Sequence, residues 1–212
     1  MNKIFLTLIS FLMVALNLCA QKKEVTIDGS TYPSQRTLYL IINEDTAHAQ
    51  LLPIQDGKFS VTVKVSKNDF IRLHDYKGWP ERCPFVLIPD SRHITVNFNS
   101  GTIEGSPMSK RLHDAILEVS KEGPDNFHVD VFSDNKEAWA EAREFEKSVR
   151  MKMTEQQKEV IRRIIDENPK NLIPAWLTYC YSDLFFGGIK ELTHGKKGKW
   201  TKHPILKLKI DN

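Results

Sequence analysis

The chain has 212 residues, with 30 Lys or Arg against 27 Asp or Glu, so its formal net charge at pH 7 is only +3. A charge so close to neutral gives no overall field that would draw the protein onto nucleic acid or an anionic membrane surface. We therefore expect no nucleic-acid partner.

The first twenty residues have the pattern of an export signal. The single positive charge of Lys3 precedes an apolar run from Ile4 to Leu18, which is shorter than the roughly 20 residues of a membrane-spanning helix. Cleavage after Ala20 predicts a periplasmic or cell-envelope protein with no integral membrane span. Lipid attachment at Cys19 is the alternative. We favour the soluble form, because only the lipidated form requires Leu18 directly before the cysteine, where a small residue is usual.

From Glu24 to Ile103, apolar and polar residues mainly alternate, and Gly, Pro, Asn and Asp separate the runs. A period of two is typical of half-buried strands, and Asp56-Gly57 between two such runs predicts a hairpin. Because alternation implies one wet and one dry face, we expect antiparallel sheets packed as a sandwich or open barrel. About eight strands are predicted, in the segments EVTIDG, RTLYLII, AQLLPIQ, KFSVTVKVS, FIRLHDY, FVLIP, HITVNF and GTIEG.

The remainder of the chain has helical periodicity. Ser106 followed by Pro107 predicts an N-cap and a first helical residue. Asp134 with Glu137 has the pattern of a capping box at the start of a long helix over 135–167. Unbroken, that helix would be about 50 Å long, although a second capping-box pattern, Thr154 with Gln157, would allow a break near 153. Its apolar stripe consists of Ala138, Ala142, Phe145, Val149, Met153, Val160 and Ile164.

Further helices are predicted beyond the Asn168-Pro169 stop. One begins in IPAWLTYCYSDLFF, with Pro174 in its first turn, and is ended by Gly187-Gly188. Short helical pieces are predicted around 189–192 and 204–210. Strands first and helices second make an α+β fold. We place a signal peptide at 1–20, a β-rich domain at 21–106 and a helical region at 107–212.

The sequence has no motif that predicts catalysis, a metal or a cofactor. None of its seven histidines is in an H-E-x-x-H motif or a zinc-type Cys–His spacing. Neither G-x-S-x-G nor a Walker phosphate loop occurs, and no two cysteines form C-x-x-C. Hydrolysis by paired carboxylates stays open, since a sequence does not show which carboxylates approach one another.

The segment GWPERCPF at 78–85 is the part of the sequence most like a redox site. Disulfide chemistry of the thioredoxin type needs two cysteines two residues apart, and Cys83 has no such partner. We therefore predict a structural turn, in which Trp79 and the nearby Tyr76 are candidate contact residues. Cys180 falls in an apolar helix, where a single cysteine usually packs as a small hydrophobic residue, so we do not favour a disulfide with Cys83.

Near the end of the chain, HGKKGKWTKH combines lysines with Trp200. Such a stretch could attract phosphates with the indole as a stacking partner. Gly195 and Gly198 favour the simpler interpretation, a solvated lysine-rich loop. Trp200 is the third candidate contact residue.

Three segments together resemble a known kind of domain: VTIDGSTYPSQRTLYLI, PIQDGKFSVTVKV and FVLIPDSRHITVNFNSGTIEGSPMSKRL. They are similar to an uncharacterised β-rich domain that commonly precedes a thioredoxin-like domain in exported thiol–disulfide oxidoreductases of Gram-negative anaerobes. The helical part, with its ENPKN break, looks like the segment that links the two domains. No W-C-x-x-C follows in this chain. The resemblance therefore implies an accessory module without the catalytic domain.

Three functional hypotheses follow, and we favour the first. It is a non-catalytic, exported interaction module whose partner is an envelope protein, with a thioredoxin-like protein as the expected class. The second is a β domain that binds a small molecule, lipid or glycan, which an open apolar pocket would favour. The third is an enzyme that uses unrecognised carboxylates or one thiol.

Overall fold

The structure is a computed structural model that describes residues 22–33, 35, 37–75, 85–130 and 135–209. Several sequence predictions concern residues outside these ranges. They are the signal peptide at 1–20 with the alternative lipid site Cys19, the candidate contact residues Tyr76 and Trp79, the thiol Cys83, and the capping residue Asp134.

Eight strands form in the described part of the chain, one in each predicted segment. They make two four-stranded sheets, in the orders β4-β1-β7-β8 and β3-β2-β5-β6, and the α+β prediction is confirmed. The strands are β1 (Lys23–Ser30), β2 (Tyr39–Ile42), β3 (Gln50–Leu51), β4 (Lys58–Val65), β5 (Ile71–His74), β6 (Phe85–Leu87), β7 (His93–Asn97) and β8 (Thr102–Glu104).

All strand pairs are antiparallel except β1 and β7, which run parallel with Thr26 opposite His93. The expectation of purely antiparallel sheets was wrong for this pair. After β4 the chain passes into the second sheet for β5 and β6, and it then returns beside β1. A long connection of this kind is what lets two neighbouring strands run in the same direction.

The Asp56-Gly57 turn differs from the predicted hairpin in what it joins. Both residues have positive φ, 52° and 69°, as a tight turn of this composition requires. Only a single bridge, Gln55 with Lys58, closes the turn. The strands on either side, β3 and β4, belong to different sheets. The turn therefore changes sheets instead of extending a ladder.

Apolar residues from both sheets form one core. The side chains of Phe59, Val61, Val63 and Val65 on β4 are all buried while the residues between them are exposed, as the period of two predicts. Gly29 lies against this core, since a Cβ at that position would be 2.3 Å from the ring of Phe59. The interior between the strands is thus filled by packed side chains.

The chain divides into two compact units, the first ending at Lys110 and the second beginning at Arg111 for the described residues on either side. The division falls four residues after the boundary that we drew between 106 and 107, inside the first long helix. The α-helices are α1 (Pro107–Lys121), α2 (Lys136–Glu167), α3 (Ile173–Tyr181) and α4 (Gly188–Thr193). Single turns of 3-10 helix occur at Thr46–His48, Pro124–Asn126, Ser182–Leu184 and Lys199–Lys202, and a longer one at Pro204–Lys209.

The helix starts follow the predicted capping chemistry in part. The Ser106 hydroxyl accepts a hydrogen bond from the Ser109 backbone N–H at 3.1 Å, as an N-cap does. Helix α2 begins after Asn135, whose side chain accepts from the Glu137 N–H. It is unbroken over 32 residues, about 48 Å. The Thr154 hydroxyl donates to the Arg150 carbonyl within the helix, so no second cap forms.

Helix α3 begins as predicted, with Pro174 in its first turn, but it ends at Tyr181 and continues as a 3-10 turn, before the predicted stop at Gly187. The second unit has its own buried core, which includes Trp176, Leu177, Ile161, Trp200 and Ile205. In the described part of the chain, no helix combines the length and the apolar character needed to cross a membrane.

Candidate interaction surface

Trp200 is buried, so its side chain is not available to contact a partner. Its side chain is 2% exposed, in the 3-10 turn Lys199–Lys202. A Cβ at Gly198 would come within 2.3 Å of the indole, so the ring packs against the glycine backbone. The predicted contact role of Trp200 was wrong, because the turn directs the indole inward while the neighbouring lysines stay at the surface. Of the three predicted contact residues, it is the one that the structure describes.

The most deeply buried charges in the described residues are Arg72 on β5 and Glu44 in the turn after β2. Their side chains are 1% and 6% exposed, and Arg72 Nε lies 2.7 Å from Glu44 Oε1. Burial raises the pKa of Glu44 above its usual value, although the hydrogen bond from Arg72 opposes the shift. A pair with so little exposure is closed to any substrate. We assign it to the fold, and no sequence signal marked it.

A second polar cluster surrounds the start of α1. Ser106 Oγ lies 2.5 Å from both Asp90 Oδ1 and Ser109 Oγ. The Ser109 hydroxyl accepts from the Ile88 N–H at 2.9 Å, and Asp90 accepts from the Met108 N–H at 2.9 Å. These hydrogen bonds satisfy backbone N–H groups at the helix start that have no partner within the helix. They also connect the start of α1 to the turn after β6. Capping accounts for the buried serines without a nucleophilic role.

Two other titratable side chains, His74 and His203, are also buried, at 9% and 7% exposure. The closest His–carboxylate contact on the first sheet joins His93 Nε2 and Asp28 Oδ2 at 3.1 Å, with side chains 60% and 38% exposed. Within the described residues, no three His, Cys, Asp or Glu side chains are grouped to hold a metal ion.

The outer face of the sheet β4-β1-β7-β8 is polar throughout. The register places Asp28 between Ser60 and Thr95, and Thr26 between Thr62 and His93. Two open grooves, of about 700 and 260 Å³, meet at Asp28, Gly29 and Lys58. The face is completed by Ser30, Lys58, Lys64, Glu24, Asn97, Thr102 and Glu104.

The first part of α2 has large apolar side chains at its surface. The buried residues of this helix are Gln157, Ile161, Ile164 and Ile165, all in its second half. Over 136–156 the helix is therefore without a buried side chain. Trp139, Phe145 and Met151 are 42%, 58% and 57% exposed. They follow one another at intervals of six residues, so at 3.6 residues per turn they point to three different sides of the helix.

The segment 124–130 covers only one side of this half-helix. The ring of Phe127 meets that of Phe145 edge to face, with centroids 6.3 Å apart. Arg150 Nη2 donates to the Phe127 carbonyl at 3.0 Å. His128 Nδ1 approaches Glu146 Oε1 at 3.6 Å. Phe145 keeps more than half of its surface exposed despite these contacts.

Arg150 also donates to Glu146 Oε1 at 2.8 Å, one turn earlier in the helix. This hydrogen bond is the main cause that lowers the pKa of Glu146. Two shallow grooves border the pair, one lined by Arg143, Lys147 and Met151 and the other by Trp139, Val129 and Asp130. We call residues 136–156 of α2 the exposed half-helix. The sequence predicted the apolar stripe of α2, but it did not predict which part of the helix is uncovered.

No protein-family model, curated protein or solved structure matches this chain. A functional assignment therefore depends on the chemistry of its surfaces.

Proposed function

We propose that the protein is an exported, non-catalytic accessory module that binds a protein partner through the exposed half-helix. The observation that carries the proposal is a helix segment of 21 residues with no buried side chain and three exposed large apolar ones. In soluble proteins, most helical stability comes from burying an amphipathic face. A partner that packed against this segment would supply that burial.

The composition of the segment fits a protein interface. Trp, Phe, Met and Arg are enriched at interfaces, and Trp and Arg are common among the residues that dominate binding energy. The exposed half-helix holds Trp139, Phe145, Met151, Arg143 and Arg150. The proposal of a non-catalytic role is supported by the buried polar clusters, each of which has a folding task. Export and an envelope thiol–disulfide pathway, with a thioredoxin-like protein as partner, are the setting implied by the sequence resemblance.

The proposal can be tested by placing a photo-crosslinking amino acid at Phe145 in the full-length protein, expressed in its own host. The matched control carries the same group at Lys64, whose side chain is 73% exposed on the polar sheet face. We expect a discrete protein adduct from position 145 and none from position 64. Equal adducts at both positions, or none at either, would contradict the proposal.

A second candidate function is binding of a polar ligand such as a glycan on the sheet β4-β1-β7-β8. The observation in its favour is the polar outer face of this sheet, next to two grooves that meet at Asp28. The core between the strands is filled by packed side chains, which disfavours a lipid. Binding to immobilised glycans that is lost in Asp28→Ala but kept in Glu24→Ala would support this function; equal binding by both variants would dismiss it.

A further inference from the structure

We infer that the partner of the exposed half-helix presents an acidic protein segment to the groove that Arg143, Lys147 and Met151 line. We call this groove the basic groove. The inference rests on the proposed function, because it names the chemistry of the partner for the same half-helix. It also specifies which side of the helix the partner contacts. The position of the groove, its charge and the order of its side chains carry the inference.

The basic groove continues the side of α2 that is buried in the second half of the helix. Residues spaced alternately four and three positions apart lie on one side of a helix. In α2 such a series consists of Arg143, Lys147, Arg150, Thr154, Gln157, Ile161 and Ile164. The last three are buried, whereas the first four line the basic groove, which has a volume of about 380 Å³. One side of α2 is therefore packed over 157–164 and open over 143–154.

The charge of the basic groove is unbalanced. Its lining holds one carboxylate, Glu146, against the three cations Arg143, Lys147 and Arg150, so its net charge is +2. Arg150 is already engaged by Glu146 and by the Phe127 carbonyl. Within the described residues, neither Arg143 nor Lys147 has an ion pair or a side-chain hydrogen bond. Two cations are thus left for the carboxylates of a partner.

The order of the exposed side chains defines the partner further. Arg143, Lys147 and Met151 are spaced by four residues, so they form one row along the helix. All three are exposed, Met151 at 57%. Neighbours in such a row have Cβ atoms about 6 Å apart. The matching segment therefore has two carboxylates at a similar separation, followed by an apolar side chain that covers Met151.

Other occupants fit the basic groove less well. A helix that lies on a lipid surface buries a broad apolar side flanked by Lys or Arg, whereas this row has one apolar residue beside two cations. A second copy that presented the same groove would bring two net positive charges together. Charge and side-chain order thus favour an acidic protein segment.

The test places a photo-crosslinking amino acid at Met151 in the full-length protein, expressed in its own host. We expect an adduct with a protein, and mass spectrometry should locate the crosslink in a segment of net negative charge. Lys147→Glu in the same chain should lower the yield of this adduct about three- to tenfold, because a carboxylate would then face carboxylates.

Lys152→Glu is the matched control. It makes the same charge change at an exposed lysine, but residue 152 lies about 140° around the helix from Lys147. The control should leave the adduct yield within about twofold of the wild type. Circular dichroism of both variants should match the wild type, because both positions are exposed.

The outcomes separate this inference from the proposed function. An adduct from position 145 with none from 151 would overturn only the inference. The same holds for a yield at 151 that Lys147→Glu leaves unchanged, and for a crosslinked segment without net negative charge. An adduct from 151 with lipid alone, or with a second copy of the chain, would also overturn it. No adduct from either position would overturn the proposed function as well.

Discussion

The Glu44 side chain is almost completely buried, and the turn that contains it has a strained backbone. It has a φ of 61°, and the preceding Asn43 has a φ of 51°, both in the left-handed region. Asn43 holds this turn in place, since its side chain donates to Asp69 Oδ1 at 2.8 Å and accepts from the Phe70 N–H at 2.9 Å. The turn brings the Glu44 carboxylate over Arg72. The pair is therefore positioned by hydrogen bonds that involve neither of its charged groups.

Removal of one member of this pair should be costly. Glu44→Gln or Arg72→Met should each lower the free energy of unfolding by about 3–5 kcal/mol, because the remaining group stays buried and loses this ion pair. The double variant should lose less than the sum of the two single losses. Urea unfolding followed by circular dichroism measures all four proteins. Additive losses would show that the two groups do not stabilise one another.

The stability of the protein should also depend on pH through Glu44. Burial raises the pKa of this carboxyl above 4.5 in the folded chain, so the folded state binds its proton more tightly than the unfolded state does. The free energy of unfolding should then fall as the pH rises from about 4.5 through the raised pKa. The wild type should lose stability relative to Glu44→Gln across that window, as compared from urea midpoints at pH 4 to 7. A difference that changes in the opposite direction would refute the assignment.

The first turn of helix α1 is capped by the Ser106 hydroxyl. Ser106 is 2% exposed. Its hydroxyl accepts a hydrogen bond from the Ser109 amide and lies within hydrogen-bonding distance of the Asp90 carboxylate and the Ile88 carbonyl. Ser106→Ala should lower the free energy of unfolding by about 1–2 kcal/mol, the usual cost of a lost N-cap. Ser60→Ala, at an exposed position on β4, should change it by less than about 0.5 kcal/mol. Thermal unfolding of the wild type and both variants measures these changes. If Ser106→Ala is as stable as Ser60→Ala, Ser106 does not act as a cap.

Elements with a strong local signal were predicted well. Strand β4 and the start of α1 follow from alternation and from capping chemistry, both of which act between residues near in sequence. Trp200 shows where this reasoning fails, because the two glycines that precede it indicate a loop but do not determine the direction of the indole. The exposure of the first half of α2 shows a related failure. An apolar stripe predicts a helix face, while its covering depends on tertiary packing.

At the scale of the whole chain, connectivity was the least predictable feature. The pairing of β1 with β7 joins residues more than sixty positions apart, and no local pattern specifies that they run parallel. The buried pair of Glu44 and Arg72 has the same origin, since it joins residues 28 positions apart in different elements. Both depend on how the sheets assemble, which the period of two leaves open.

The segment of α2 without buried side chains makes a prediction for the dynamics of the intact molecule. In dilute solution, amide hydrogen exchange should be fast over residues 136–156, which have no buried side chain, and slow over 157–167, where Ile161, Ile164 and Ile165 are buried. Uniform exchange along α2 would mean that the exposed half-helix is stable alone and does not need a partner to cover it.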